Sequence, residues 1–378
     1  MWYEHNVSSA SRYNYTQVTG PRSLNGFIRD QPDTGVFNQR TVWKTRQAYL
    51  QDTVKLFNDT LTLDFGVKIP RVTATSKALP GTAKTPISPN SSSQFASGRL
   101  SSGKGILPGV GIHYRLANNQ ELFASYAKNI AMFQGGFKLG PQAVNQATWD
   151  SQPSLNPETS HSLEIGYRMV KDHFQTSIAA YKVRFDNRLL QYNPCNSRQP
   201  VGPGCGNRFY NAGGVDSHGA ELTFLWTPSP HWNWYNSASY NRSTYLNDYT
   251  QGGALQHTRG KIQVDTPVTL LASQISLDYE GWHASLRGKY TGKRYYTYTN
   301  DQGFGGFTVF DLGASYDFGQ TTWAKDVRIA FNISNLTNKR YASNLDSSVF
   351  APSDPDGSIY VFHGSAPRQV FGTLDVRF

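Results

Sequence analysis

The last nine residues, 370-VFGTLDVRF-378, decide the fold class. Their even-numbered positions are mostly apolar and their odd-numbered positions mostly polar, and the segment ends on Phe378. A period of two residues is that of a β-strand with one apolar and one polar face. The same two-faced segment recurs along the whole chain, which predicts an all-β protein.

The composition agrees with this class. Of the 378 residues, 16% are charged and 13% are aromatic, and 34 glycines and 19 prolines fall mainly between the strand-like segments. No run of 18 or more apolar residues occurs, which excludes a transmembrane helix. The length would accommodate two or three soluble domains. We favour one large barrel, because the alternation of strand and turn never changes character along the chain.

The alternation predicts fourteen strands. In order from the C-terminus, they lie near 366–378, 324–336, 305–318, 282–297, 267–280, 231–246, 214–228, 172–192, 157–170, 119–130, 106–117, 58–73, 40–56 and 1–14.

Tight and long connections alternate between these strands. The tight ones lie at 58–59, 117–120, 171–172, 228–230, 280–281 and 319–323. Those between them are longer, except 298–304, and are rich in Gly, Ser, Asn and Pro. This alternation is typical of periplasmic turns and extracellular loops. It predicts a transmembrane antiparallel β-barrel with meander connections.

Each strand can be given an outward and an inward face. In 157–170, Leu163 and Ile165 alternate with Glu164 and Arg168. Because a charge in hydrocarbon costs several kcal/mol, the ionic face must line a wet lumen. Large aromatic side chains flank the tight turns, where a membrane-interface girdle belongs: Trp226, Trp232, Trp234, Trp282, Phe318 and Trp323.

Five features in fixed order resemble the TonB-dependent receptors of Gram-negative outer membranes. They are 155-LNPETS-160 with 163-LEIGYR-168, 219-GAEL-222 with 226-WTP-228, 331-FNISNLTNKRY-341, 366-APRQ-369 and the terminal Phe378. The resemblance covers roughly residue 40 to the end. It implies a bacterial outer-membrane location and an assembly signal at Leu374, Val376 and Phe378, read by the barrel assembly machinery.

The chain also departs from that family. Its members carry a signal peptide, a motif for the TonB-type energy coupler, a plug domain and a 22-stranded barrel. Here residues 1–5 already follow a strand pattern, with no basic segment and no apolar segment before it, so we expect no signal peptide within this sequence. We expect residues 1–378 to be the C-terminal part of the barrel domain, without plug, whose edge strands 1–14 and 366–378 form no complete ladder. Coupling to TonB would then need a full-length form with the plug.

The candidate catalytic motifs lack the neighbouring residues and structural elements that their chemistry requires. The segment 98-GRLSSGK-104 has Gly105 where a P-loop needs Ser or Thr, and no hydrophobic strand precedes it. The nine histidines are scattered singly, without metal-ligand spacing. We therefore expect no catalytic residue, no cofactor and no resident metal.

The net charge of +10 has two interpretations. Cations in the outer loops and lumen would attract anionic ferric complexes or lipopolysaccharide phosphates. Alternatively, segments outside this sequence carry the balancing acid. Nucleic acid is not an expected partner, because the cations are spread over many strands rather than along one stripe. We expect a monomer in contact with outer-membrane lipid and lipopolysaccharide.

Cations and aromatic side chains concentrate in 289-KYTGKRYYTY-298. Such a surface can bind a catecholate, hydroxamate or citrate chelate through charge-assisted hydrogen bonds and ring packing. A tyrosine girdle at the outer membrane interface would explain the same residues without a ligand. The candidate substrate-binding residues are Arg287, Lys289, Lys293, Arg294, Tyr295, Tyr296 and Tyr298, with Trp149, Phe133 and His257 as weaker candidates.

Cys195 and Cys205 are the two cysteines, and both lie in one predicted loop rich in Gly and Pro. A close pair in an extracytoplasmic chain is typical of a local disulfide. A metal clip would need further His or Cys residues nearby. We predict a Cys195–Cys205 disulfide.

These features together predict a receptor for energy-coupled uptake of ferric siderophore complexes, present here as a plugless fragment. A receptor for another scarce nutrient, such as a glycan or vitamin, is one alternative. A passive pore or surface adhesin is the other.

Overall fold

The computed structural model describes residues 1–18, 26–80, 96–103, 105–131, 146–151, 156–192, 208–211, 213–251, 254–345 and 362–378. Its elements, in chain order, are β1 (Trp2–Val18), β2 (Gly26–Leu56), β3 (Leu61–Ala78), β4 (Gly98–Ser102), β5 (Leu107–Ala117), β6 (Gln120–Ala131), α1 (Gln146–Ser151), β7 (Glu158–Lys171), β8 (Phe174–Asp186), β9 (Leu189–Tyr192), β10 (Arg208–Asn211), β11 (Val215–Ser229), β12 (Trp232–Tyr245), β13 (Tyr249–Gln251), β14 (Ala254–Gln256), β15 (Thr269–Tyr279), β16 (Trp282–Thr291), β17 (Arg294–Tyr295), β18 (Gly303–Phe304), β19 (Phe307–Gly319), β20 (Asp326–Ser334), β21 (Ala342–Leu345), β22 (Phe362–Gly364) and β23 (Gln369–Arg377).

Fourteen of these strands form the path of one antiparallel sheet, in the order β1-β2-β3-β5-β6-β7-β8-β11-β12-β15-β16-β19-β20-β23, and β4 pairs with β3 beside this path. Each strand of the path pairs with the next long strand of the chain, so the topology is a meander. The predicted fold class and strand number are therefore confirmed. Within the part of the chain that the structure describes, no ladder joins β1 to β23, so the sheet is not closed.

One rim of the sheet carries the tight turns. Glu280 and Gly281 have φ of 46° and 83°. Positive φ at both central residues is what a two-residue type I′ hairpin turn requires, and the twist of this turn matches that of its strands. The turn between β2 and β3 contains three more left-handed residues, Phe57, Asn58 and Asp59. These short connections fix the register of each hairpin.

The other rim is more structured than the sequence predicted. Four short hairpins, β9–β10, β13–β14, β17–β18 and β21–β22, lie within segments assigned to loops or to the end of a longer strand. Strand β3 continues to Ala78, whereas the predicted strand ended at residue 73. In 71-RVTATSKA-78 the apolar residues move from the odd-numbered positions of 61–69 to even-numbered ones, and this change of phase interrupts the predicted pattern. Backbone pairing with β2 and β4 nevertheless extends the strand.

The two faces of the sheet differ in chemistry. Leu163 and Ile165 on β7 are 56% and 61% exposed, as lipid-facing side chains should be. On the opposite face, His113 lies 3.6 Å from Asp64 and 3.1 Å from Glu121, and Arg168 lies 3.5 Å from the same Glu121. This ionic chain crosses four strands, and the cost of placing charges in hydrocarbon assigns its face to the lumen.

Aromatic side chains gather on the outward face at the tight-turn rim. All six predicted girdle residues are large, exposed side chains. The ring centroids of Trp282 and Tyr316 are 4.7 Å apart, and those of Trp226 and Trp234 are 6.3 Å apart. Amphipathic rings favour the boundary between lipid and water. Among the described residues, no helix has the length and apolar character to cross a membrane.

Candidate functional site: lumen wall and outer loops

Two candidate residues face the lumen from β16. Arg287 pairs in register with Asp311 of β19, and Lys289 pairs with Val309. Because the residues are two positions apart on a strand, both side chains project from the same face, about 7 Å from each other. Both are exposed, and neither forms an ion pair within the described residues. They present two cations to the lumen.

Lys293 and Tyr295 follow β16 and contact each other. The Lys293 ammonium lies 4.5 Å from the centroid of the Tyr295 ring, within the range of a cation–π interaction. Lys293 is exposed, whereas Tyr295 is half-buried. The pair extends the cationic surface of β16 towards the loop rim.

Arg294 has a different environment from these three residues. Its side chain is 9% exposed and forms an ion pair of 3.0 Å with Asp265. Its guanidinium also donates to the carbonyl of Ala342 and lies 5.9 Å from the centroid of the Phe307 ring. Burial raises the pKa of the Asp265 carboxyl, and Arg294 opposes this rise. Arg294 thus holds two separate loops to the barrel wall.

Tyr298 and Tyr296 are also buried. Tyr298 is 2% exposed, and its ring packs edge-on against Tyr245 at 5.7 Å and Tyr249 at 5.5 Å. The Tyr296 ring lies 5.4 Å from that of Phe304. We name segments 245–266, 294–304 and 341–364, as far as they are described, the loop block.

Hydrogen bonds tie the loop block together. Asn300 donates to the carbonyl of Ile262 at 2.9 Å and accepts from the Ile262 amide at 2.6 Å. The Asp265 amide donates to the carbonyl of Tyr295 at 2.8 Å. A ring contact of 5.4 Å between Phe304 and Phe362 adds the third segment. The block is one packed unit above the lumen.

This packing gives three of the candidate binding residues a structural role. Arg294, Tyr296 and Tyr298 were expected to contact a ligand or to form a lipid-facing girdle. They instead bury their side chains against other loops, so their role in the structure is to hold the block together. The sequence could not distinguish these roles, because a cluster of Arg and Tyr has the same sequence pattern whether its side chains contact a ligand or another loop. Ligand contact stays a prediction for all seven candidates in 287–298, of which Arg287, Lys289 and Lys293 are exposed.

The weaker candidates are scattered. His257 has an 80% exposed side chain, and its Nδ1 lies 3.6 Å from Asp248. A hydrogen bond from the backbone amide of Arg259 is the main reason that the pKa of the Asp248 carboxyl is lowered. Trp149 is half-buried on α1. Phe133, Cys195 and Cys205 lie outside the described residues, so the predicted disulfide stays a prediction.

The sequence missed Asp265, the partner of Arg294. The two residues are 29 positions apart and lie in different connections, so no periodic pattern links them. A buried arginine needs a carboxylate partner, and this requirement is the one signal that could have indicated an acidic residue such as Asp265 in a neighbouring connection. The described residues contain no group of three or more His, Cys, Asp or Glu that could hold a metal ion.

The C-terminal strand places its predicted assembly residues at the membrane rim. Leu374 is 64% exposed and Phe378 is 77% exposed. The carbonyl of Phe378 accepts from Lys325 at 2.9 Å, and its ring lies 6.3 Å from that of Trp323. Val376 pairs with Val327 on β20. Recognition of Leu374, Val376 and Phe378 by the assembly machinery stays a prediction.

A meander of long two-faced strands, with an ionic lumen and an aromatic rim at the tight turns, defines an outer-membrane β-barrel protein. The chain belongs to the TonB dependent receptor-like, beta-barrel family, whose profile matches residues 2–336. The proteins of this family are outer-membrane receptors and transporters of Gram-negative bacteria rather than enzymes. The resemblance drawn from the sequence is therefore confirmed.

Solved structures share the fold. The siderophore receptor PiuA from Acinetobacter baumannii is 16% identical with a TM-score of 0.69, over 98% of this chain and 51% of that one. The ferric citrate transporter FecA is 16% identical with a TM-score of 0.70, over 100% and 50%. The copper transporter OprC is 16% identical with a TM-score of 0.61, over 88% and 48%. The chain thus spans about half the length of these structures. No curated protein matches the sequence.

Proposed function

We propose that the chain forms lumen wall and outer loops of a receptor that takes up ferric siderophore complexes across the outer membrane. Family membership supports a transport receptor. Two of the similar structures are a siderophore receptor and a ferric citrate transporter. Because the chain spans about half of their length, energy coupling through TonB is proposed for a longer form that carries a plug.

The observation that carries this proposal is the cationic surface formed by Arg287, Lys289 and Lys293. All three side chains are exposed, and none forms an ion pair with a carboxylate among the described residues, although Asp311 is the cross-strand neighbour of Arg287. Ferric catecholate and citrate chelates are anionic and offer oxygen acceptors. Hydrogen bonds from cations to such oxygens are short and strong, so this surface suits an anionic chelate. Its charge would also steer the chelate into the lumen.

The loop block supports the same function as a rigid scaffold. Binding groups are effective when their supports are packed before the ligand arrives, because less side-chain entropy is lost. Lys293 lies next to Arg294, which the block fixes on both sides. The block thus holds Lys293 and Tyr295 at one end of the cationic surface.

A titration of the purified chain, folded in detergent, tests the proposal. Tryptophan fluorescence would be followed with ferric citrate, a ferric tris-catecholate, a ferric trihydroxamate and copper(II). We expect the two anionic chelates to bind, and the double variant R287Q/K289Q to weaken them about tenfold or more.

The matched control removes the same charge elsewhere. Lys55 and Lys171 lie beside tight turns, so K55Q/K171Q should bind the chelates like the unmodified chain. Equal weakening in both double variants would contradict a site at β16, and absence of chelate binding would contradict the proposed cargo. Tight copper(II) binding without chelate binding would instead support a metal-ion transporter.

A further inference from the structure

A second cationic surface lies on the outward face of the barrel, at β2, β3 and β4. Lys44 and Arg46 on β2, Arg71 on β3 and Arg99 on β4 line a hollow of about 380 Å³, with Thr73 and Thr75 between them. Register places these side chains on one face, since Arg46 pairs with Arg71, Lys44 with Thr73, and Arg99 with Thr75. Four cations from three strands therefore converge on one hollow.

The face is the lipid-facing one. Ile69, two residues before Arg71 on the same side of β3, is 50% exposed, and it pairs with Ala48. The next outward pair, Leu50 with Val67, continues the apolar surface towards the tight turns. On the opposite face at this level, Val72 and Ala74 are buried. The hollow thus lies at the boundary where the apolar belt ends on the loop side.

The charges of the hollow are not compensated by the protein. None of the four cations pairs with a carboxylate within the described ranges, and all four are exposed. Arg46 and Arg71 are direct cross-strand partners, an arrangement that is destabilising for like charges unless an anion lies between them. By contrast, outward-facing Lys182 and Arg184 on β8 pair with Asp216 at 3.5 Å and Asp186 at 3.2 Å.

We propose that this hollow binds the phosphorylated headgroup of an outer-leaflet glycolipid, the lipid A part of lipopolysaccharide. Arginine guanidinium groups match phosphate oxygens with paired hydrogen bonds, and Lys44 adds a point charge. Basic pockets at headgroup depth are sites for anionic lipids. The apolar positions below the hollow, Ala48 and Ile69, would contact the acyl chains of the same molecule.

Native mass spectrometry of the folded chain in detergent micelles tests this site. Diphosphorylated lipid A is the probe, and monophosphorylated lipid A and inorganic phosphate are tested in separate experiments. We expect one tightly retained diphosphorylated molecule, at least about tenfold weaker retention of the monophosphorylated form, and no retained inorganic phosphate. The double variant R46Q/R71Q should weaken retention of the diphosphorylated lipid by about the same factor.

Two controls distinguish the loss of this hollow from a general loss of positive charge and from misfolding. K182Q/R184Q removes the same outward charge where it is already paired, and should retain the lipid. Folding of every variant is checked by its mobility in unheated SDS gels, and K44Q/R99Q replaces R46Q/R71Q if the latter does not fold. Unchanged retention in the folded hollow variant, or equal loss in K182Q/R184Q, would overturn the proposal. Siderophore titrations do not depend on this outcome, so the two proposals fail separately.

Discussion

The barrel wall and the loop block are built by different kinds of contact. In the wall, each strand pairs with its neighbour in sequence, and an alternation of apolar and polar residues decides which face each side chain takes. In the block, side chains from three separate connections pack together, as in the contact of Tyr298 with Tyr245 and the ion pair of Arg294 with Asp265. The structure of the wall therefore follows from patterns within each strand, whereas the structure of the block depends on contacts between segments far apart in sequence.

The largest expected effect is in the block. Arg294→Met would leave Asp265 partly buried without its cation, and breaking one side of such a pair costs about 3 to 5 kcal/mol. We expect the chain to keep its barrel but to be cut by protease in 245–266 and 294–304. Limited proteolysis followed by mass spectrometry checks this. Lys293→Met, next to it but exposed, should change little, and equal nicking in both variants would show that the ion pair does not hold the block.

The difference also explains how far the sequence could predict this molecule. Strand β7, at Glu158–Lys171, was predicted at 157–170, because Leu163, Ile165 and their polar neighbours follow a strict period of two. No such period marks the contacts of Arg294 or Tyr298, which join residues far apart in sequence. Residues 74–78 of β3 were missed for a related reason, because Thr75 and Lys77 occupy outward positions beyond the apolar belt and the apolar residues have moved to the inward face.

A second prediction tests the outward face of the wall. Ile165→Arg would place a charge in the lipid belt and cost about 2 to 4 kcal/mol near the bilayer midplane. Glu164→Arg changes the adjacent residue, which faces the wet lumen, and should cost well under 1 kcal/mol. Urea unfolding of the chain in lipid vesicles measures both. Similar losses for the two variants would show that the faces are not distinct.

A third prediction compares two glycines of the wall. A Cβ at Gly166 would lie 2.3 Å from Phe123 Cζ and 2.6 Å from the carbonyl oxygen of Ile178, whereas a Cβ at Gly372 would meet nothing within 4 Å. Gly166→Ala should therefore cost about 1 to 3 kcal/mol through overpacking. Gly372→Ala should lie within about 0.5 kcal/mol of the unmodified chain. The same urea experiment reports on this pair, and a neutral Gly166→Ala would contradict the close packing of the lumen face.

The smallest expected effect is the pH dependence of the block. Burial raises the pKa of Asp265 above its ordinary 3.8, so the packed block binds a proton more readily than the opened one. The contribution of this carboxyl to stability should then fall as the pH rises from about 4 through the raised pKa. Protease half-life in 245–266, measured from pH 4 to 7, should show this slope, and Asp265→Asn should flatten it. If the half-life rises with pH, and Asp265→Asn removes that rise, the predicted direction of the pH dependence is wrong.

Site-directed spin labelling along β7 is the most direct test that alternate residues of each strand face lipid and lumen. Single cysteines at 162, 163, 164, 165, 167 and 168, in a chain with Cys195 and Cys205 replaced by Ser, would each carry a nitroxide. In lipid vesicles, we expect labels at 163, 165 and 167 to be accessible to oxygen, and those at 162, 164 and 168 to be accessible to a water-soluble nickel complex. Accessibilities without a period of two, or with the opposite phase, would contradict this expectation.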